Sequence, residues 1–297
     1  MKISTKLGRH VSPVLPKPDW LKVQVKTGNH YFDLKRIVRM DNLHTVCEEA
    51  VCPNIFECWE RRSATLMILG DICTRSCRFC NVQTGRPTWS DPDEPRRIAE
   101  VVKQMGLLHC VITSVNRDEL PDGGANIWAE TIRMIHRLNQ GCSVEVLIPD
   151  FKADDTVLKT VFEAEPEILG HNMETVPRLY RKVRPQAKYE WSLHVLRESK
   201  VFGLRTKTAF MVGLGETVDE VLAMMEETAG TGCDIVAIGQ YLQPTKYHLP
   251  VERYVHPDEF TVYREAGLKM GFSWVEAGPL VRTSYHADKQ AGLGITA

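Results

Sequence analysis

The residues best suited to chemistry in this chain are its cysteines. There are nine, at positions 47, 52, 58, 73, 77, 80, 110, 142 and 233. Six divide by spacing into two triplets, C-x4-C-x5-C (Cys47, Cys52, Cys58) and C-x3-C-x2-C (Cys73, Cys77, Cys80). Each triplet is one thiolate short of a closed tetrahedral shell. Structural zinc usually closes that shell with four Cys or His ligands, often from paired C-x2-C knuckles. Here there is one C-x2-C, and no histidine lies between Cys47 and Cys80. Iron–sulfur clusters suit two three-thiolate sites better, since a cubane held by three cysteines keeps one iron open to another ligand. Cys110, Cys142 and Cys233 stand singly; Cys110 and Cys233 lie beside strand-like runs, and all three read as small core residues.

C-x3-C-x2-C with Phe79 just before its third cysteine resembles the radical S-adenosylmethionine (SAM) superfamily. The resemblance implies that Cys73, Cys77 and Cys80 hold a [4Fe-4S] cluster whose open iron is chelated by the amino and carboxylate groups of SAM. One electron would then cleave the sulfonium and release a 5′-deoxyadenosyl radical. It places Phe79 near the adenine, where the plainer reading is a buried aromatic.

The first triplet narrows the resemblance. C-x4-C-x5-C shortly before C-x3-C-x2-C is similar to the lipoyl synthase family, which also carries a C-terminal Arg-Ser-Ser-Tyr motif whose second serine ligates an auxiliary cluster. The corresponding segment is Arg282-Thr283-Ser284-Tyr285. Thr283 replaces the first serine, and Ser284 keeps the ligand position. Further matches are Lys17-Pro18-Asp19-Trp20-Leu21, Arg117-Asp118-Glu119-Leu120, His171-Asn172-Met173-Glu174-Thr175 and Pro244-Thr245-Lys246-Tyr247-His248-Leu249-Pro250, so the likeness runs from about residue 17 to 292.

This likeness implies sulfur insertion at C6 and C8 of an octanoyl chain that is amide-linked to a lysine of a lipoyl carrier protein. Cys47, Cys52, Cys58 and Ser284 would hold a second [4Fe-4S] cluster as sulfur donor, and Asn172 and Glu174 would contact SAM. Implied partners are the octanoylated carrier, a low-potential electron donor such as ferredoxin or flavodoxin, and an iron–sulfur carrier for cluster repair. The alternatives are another radical SAM sulfur inserter, of the biotin-synthase or methylthiotransferase type, and a zinc-stabilised binding module.

The elements that must position these residues form a βα alternation. Strand-like runs occur at Thr65–Gly70, Cys110–Ser114, Ser143–Ile148, Ile168–Asn172, Thr208–Val212 and Ile235–Gly239. Helical patterns occupy 94–105, 125–138, 154–163, 176–181, 191–198, 218–229 and 257–269. Six strands alternating with helices predict an α/β fold, a partial (β/α)6 barrel of the TIM type. Ligands bind at the carboxyl ends of such strands. The second triplet follows the first strand, and polar loops follow others: 114–119 with Asp122-Gly123-Gly124, 171–175, 213–217 and 240–244. Residues 1–64 read as an N-terminal extension, irregular over its first 40 residues where Pro13, Pro16 and Pro18 occur; 65–270 as the barrel; and 271–297 as a C-terminal extension. The two extensions would cover the barrel mouth.

Composition sets the remaining bounds. With 37 basic and 38 acidic residues the net charge is −1, so the surplus of a strongly basic nucleic-acid binder is absent. No run of about 18 apolar residues exists to span a bilayer. The first ten residues have no apolar core, which argues against a signal peptide and for a cytoplasmic protein, where clustered thiols mean metal or catalysis more often than disulfides.

Overall fold

The computed structural model describes residues 15–23, 27–40, 44–49 and 52–292. The fold is α/β. Its strands are β1 (His44–Thr45), β2 (Thr65–Ile68), β3 (Ile72–Cys73), β4 (Gln83–Thr84), β5 (His109–Ser114), β6 (Ser143–Leu147), β7 (Ile168–Gly170), β8 (Thr206–Val212), β9 (Ile235–Gln240) and β10 (Trp274–Gly278). Eight form one sheet in the order β1-β2-β5-β6-β7-β8-β9-β10, and β3 pairs with β4 apart from it. From β2 to β10 every pairing is parallel, while β1 runs antiparallel to β2. β1 and β10 do not pair, so the sheet is an open, partial barrel.

The six expected strands are all present, and β10 adds a seventh parallel one inside the expected C-terminal extension. Its sequence, Trp-Val-Glu-Ala-Gly, carries a charge and buries alternate residues only. It therefore lacks the continuous apolar run of a strand covered on both faces. A second difference lies in the N-terminal arm. Asn29–Met40 is a helix that buries Tyr31, Leu34, Ile37 and Val38, a spacing of three and four residues. The prolines that predict irregular structure precede it; Pro13 and residues 293–297 lie outside the described residues.

Side-chain alternation gives each strand two different faces. Cys110, Ile112, Val144 and Val146 point into one apolar layer with Trp59 and Trp128. Phe210, Val212, Val236 and Ile238 join a second layer with Met224 and Tyr263. Their neighbours along the strands form the barrel interior. Near the amino ends of the strands that interior holds a fully buried ion pair, Lys207 Nζ to Glu145 Oε1 at 2.7 Å, with His109 Nε2 3.6 Å from the same carboxylate. Burial pushes the Glu145 carboxyl up, but Lys207 and His109 outweigh it and hold the group below its usual value. Further along β8 and β9 this face includes the small residues Ala209, Ala237 and Gly239.

Lys207→Met leaves the Glu145 carboxylate buried without its cation. Such a loss costs about 3–5 kcal/mol, whereas replacing both partners by apolar residues is far less harmful. Urea unfolding is expected to show that penalty for Lys207→Met and to show most of it recovered in Lys207→Met with Glu145→Leu.

Two cysteine triplets at the mouth of the barrel

The second triplet sits where the chain leaves the first parallel strand. Leu69 and Gly70, both at positive φ, turn it out of β2. β3 and β4 then pair, and Gly85 N–H donates to the Cys73 carbonyl at 2.9 Å, which closes residues 74–82 into a loop that carries Cys77 and Cys80. Cys80 N–H donates to the Cys77 carbonyl at 3.1 Å, and the three thiols are near enough for their charges to act on one another.

Other strand ends hold this loop from several sides. Asn116 N–H, after β5, donates to Cys73 Sγ at 3.3 Å, and the Asn116 carbonyl accepts from Thr74 N–H at 3.0 Å. Arg78 N–H donates to Val183 O at 2.9 Å, and Leu249 N–H to Arg78 O at 3.2 Å. His248 Nε2 lies 3.0 Å from the Cys80 carbonyl, to which it donates, with Thr245 Oγ1 2.9 Å from its other ring nitrogen. Arg75, 4% exposed, forks onto two carboxylates: Nε and Nη2 donate to Asp118 at 2.7 and 2.9 Å, Nη1 and Nη2 to Asp150 at 2.6 and 2.7 Å.

Asn172 and Glu174 come from the loop after β7. Asn172 Nδ2 donates to Glu174 Oε1 at 3.1 Å, and Arg184 Nη1 to the Asn172 carbonyl at 3.0 Å. Glu174 stands at φ +67° and is pinned to β8 by an isolated parallel bridge to Phe210. A non-glycine residue at positive φ persists only where its surroundings impose it. Burial pushes the Glu174 carboxyl up, with Arg184 and Asn172 opposing. The charges of Glu174 and Arg184 both reach Cys77. Phe79 is half-buried against the second apolar layer.

The first triplet is built from short helices. Cys47 lies in Val46–Glu49 and Cys58 in Ile55–Glu60, with Cys52 between them; Cys52 N–H donates to the Cys47 carbonyl at 3.0 Å and Cys58 N–H to that of Asn54 at 2.9 Å. All three cysteines line one cleft with Thr65, Arg282, Ser284 and Tyr285. Ser284 is thus brought to the first triplet from more than 200 residues away. Its Oγ accepts a hydrogen bond from Thr65 Oγ1 at 2.8 Å.

The segment that carries Ser284 is held by residues of both ends of the chain. Asn54 Nδ2 donates to the Leu280 carbonyl at 2.7 Å, Arg61 pairs with Asp288 at 2.7 Å, and Tyr285 Oη donates to Glu57 at 3.2 Å. Val281 packs against Ala209 and Ala237 inside the barrel. Gly239 admits it, because a Cβ there would lie 2.1 Å from the Val281 carbonyl oxygen.

Both donor sets fit iron–sulfur clusters. Burial pushes Cys47 up to about 11 and Cys80 to about 12, and it raises Cys52, Cys58 and Cys77 as well. A buried bare thiolate is costly, and bound iron removes that cost by neutralising it. Electropositive groups already face the sulfurs: the Arg184 guanidinium at Cys77, Arg282 at Cys52, the Asn116 amide at Cys73, and the Trp59 indole N–H, which has no other acceptor, at Cys47. Cys110, Cys142 and Cys233 are buried elsewhere.

Other polar strand ends serve the fold. Glu216 accepts from the Gly213 and Leu214 amides, and Thr217 forms a capping box with Glu220. His171 is buried between Ile148 O and Ser192 Oγ, and burial lowers its pKa to about 4, so it is neutral. Sequence reasoning missed Arg75, Asp150, Arg184 and Thr65 altogether. Asp150 was within reach of the same strand-end argument, since it follows β6; the others leave no spacing signal. His248 lies in a segment singled out only for its likeness.

A partial barrel with three thiols in the loop after its first parallel strand defines a radical SAM protein. The model of the radical SAM superfamily matches residues 67–228, and that of the N-terminal domain of lipoyl synthase within that superfamily matches residues 2–52. Among solved structures, methylornithine synthase shares the fold, with a TM-score of 0.54 at 14% identity over 85% of this chain and 82% of that one. The chain belongs to the lipoyl synthase family. It is 58% identical over 285 residues to the lipoyl synthase of Rubrobacter xylanophilus, covering 95% of this chain and 87% of the relative. It is 53% identical over 278 residues to that of Mycolicibacterium gilvum, covering 94% and 88%.

Gly239→Ala forces the Val281 carbonyl away from β9 and drags Ser284 with it. Iron and sulfide analysis after anaerobic reconstitution is expected to show loss at the first triplet only, with the second triplet's cluster retained by electron paramagnetic resonance.

Proposed function

We propose that the two triplets divide one reaction between them: Cys73, Cys77 and Cys80 anchor the [4Fe-4S] cluster that binds SAM, and Cys47, Cys52, Cys58 and Ser284 hold the [4Fe-4S] cluster that donates sulfur. The reaction is that of the lipoyl synthase family, insertion of two sulfur atoms at C6 and C8 of an octanoyl-lysine on a lipoyl carrier. The observation that carries the assignment is the meeting of Ser284 with the first triplet in one cleft. A zinc-stabilised module or a biotin-synthase-type inserter gives no reason for that meeting.

The bound groups supply a 5′-deoxyadenosyl radical for hydrogen abstraction and sulfide for C–S bond formation. The protein's own residues supply placement. Unactivated C6 and C8 offer no acidic proton, so acid–base groups have no part in breaking their C–H bonds. The loop clamped by Asn116, Val183 and Leu249 fixes the SAM side, and Asn172 and Glu174 stand beside it as SAM contacts, with Phe79 at the adenine. Residues 280–288, tied to Asn54, Glu57 and Arg61, close the opposite side and limit water at the reacting carbons. The carrier brings its octanoyl-lysine to the mouth between them. A low-potential electron donor of the ferredoxin or flavodoxin kind and an iron–sulfur carrier complete the set, in the cytoplasm. No helix among the described residues is long and apolar enough to cross a membrane.

The test is anaerobic incubation with SAM, dithionite and an octanoyl-lysine peptide, followed by mass analysis. A peptide gaining two sulfurs supports the reading; an unchanged peptide overturns it. Cys73→Ala is expected to abolish 5′-deoxyadenosine formation. Cys52→Ala is expected to keep it while yielding no thiolated peptide. Equal loss of SAM cleavage in both would refute the division of labour.

Ser284→Ala is expected to lower iron content at the first triplet and thiolated product together, with SAM cleavage retained. Thr283 gives no rescue, since its hydroxyl is bonded to Asn172 at 3.0 Å. Iron content and product at wild-type levels would remove Ser284 from the ligand set.

A further inference from the structure

Thr283 and Ser284 are consecutive, yet their hydroxyls serve different sites. Ser284 Oγ lies in the cleft with Cys47, Cys52 and Cys58 and accepts from Thr65 Oγ1. Thr283 Oγ1 accepts from Asn172 Nδ2 at 3.0 Å and lies 3.4 Å from Asn172 Oδ1. The same Asn172 Nδ2 donates to Glu174 Oε1, whose charge reaches Cys77 and Cys80. Hydrogen bonds between side chains thus link Glu174, whose charge acts on the second triplet, through Asn172 to Thr283, the residue before Ser284.

We propose that Thr283 is a positioning residue that sets the register of Ser284 and the first triplet against the SAM side of the barrel. The inference rests on the assignment of the two triplets given above. A carbon radical made on the SAM side has to meet sulfur before it meets anything else, and a misplacement of about 1 Å can cost two orders of magnitude in a reaction held by geometry. The segment is anchored without Thr283, by Asn54 at Leu280, Arg61 at Asp288, Glu57 at Tyr285, and Val281 against Ala209 and Ala237. Those anchors hold it to the first triplet's helix and to β8 and β9. The bond to Asn172 ties it to the loop after β7, where the proposed SAM contacts lie. Removal of the threonine hydroxyl therefore keeps both clusters and loosens the register between them. Serine restores the hydroxyl, and valine keeps the shape without it.

The test compares wild type, Thr283→Val and Thr283→Ser, each reconstituted anaerobically. Iron, sulfide and the thermal unfolding midpoint are expected to match in all three. In Thr283→Val the ratio of 5′-deoxyadenosine to thiolated peptide is expected to rise about three- to tenfold, the worth of one hydrogen bond, because radicals form and miss sulfur. Thr283→Ser is expected to stay within about twofold of wild type. Amide hydrogen exchange over residues 281–285, measured without SAM or peptide, is expected to quicken in the valine variant and not in the serine variant.

A valine variant with the wild-type ratio and wild-type exchange overturns the proposal. So does a valine variant that loses irons or its unfolding transition, which makes Thr283 a structural support, and so does a serine variant as uncoupled as valine. A wild-type protein that thiolates no peptide instead refutes the assignment of the triplets, so the two failures are distinguishable.

Discussion

The contact between Gly239 and the Val281 carbonyl is the constraint on which the site depends. Elsewhere a parallel barrel fills its interior with branched side chains. Here β8 and β9 present the small residues Ala209, Ala237 and Gly239, and residue 281 packs against them. The entering chain then delivers Arg282, Thr283 and Ser284 between the two cysteine triplets. A single added methyl group on Gly239 would close that entrance. The interior thus holds a buried ion pair near the amino ends of its strands and Val281 of the C-terminal segment against Ala209 and Ala237.

The two triplets are supported by different physics. The loop that carries the second triplet rests on charge: Arg75 forks between Asp118 and Asp150, and Arg184 stands among Asn172, Tyr180 and Cys77. Burial pushes the Asp150 carboxyl up, but Arg75 outweighs it and holds the group below its ordinary value. Breaking one partner of such a buried set leaves uncompensated charge, so the loop has few alternative arrangements. The first triplet, whose partner segment is tied by the Arg61–Asp288 pair, is lined differently. It depends on helix ends, the Thr65 hydroxyl, the Trp59 indole and Arg282.

Much of the fold was legible because each element carries a local pattern. The helical pattern over 218–229 matches the helix residue for residue, and the structure adds a capping box of Thr217 and Glu220 at its start. β10 was missed because an edge strand needs only one covered face, and alternation over five residues is a weak signal. The helix over 29–40 was missed because the prolines before it drew the whole arm into one irregular class, although Tyr31, Leu34 and Val38 lie at helical spacing.

By itself the sequence determined the two thiol triplets, the βα alternation and the family likeness, because ligands within one short loop have a spacing that the chain fixes locally. The tertiary structure alone decided that Thr65 would serve Ser284, that Arg75 would join Asp118 to Asp150, and that Thr283 would face Asn172 while its neighbour faced the first triplet. These partners are separated by 219, 43, 75 and 111 residues. Contacts at such distances leave no periodicity, since they arise only when the tertiary fold brings remote strands, loops and the C-terminal segment side by side.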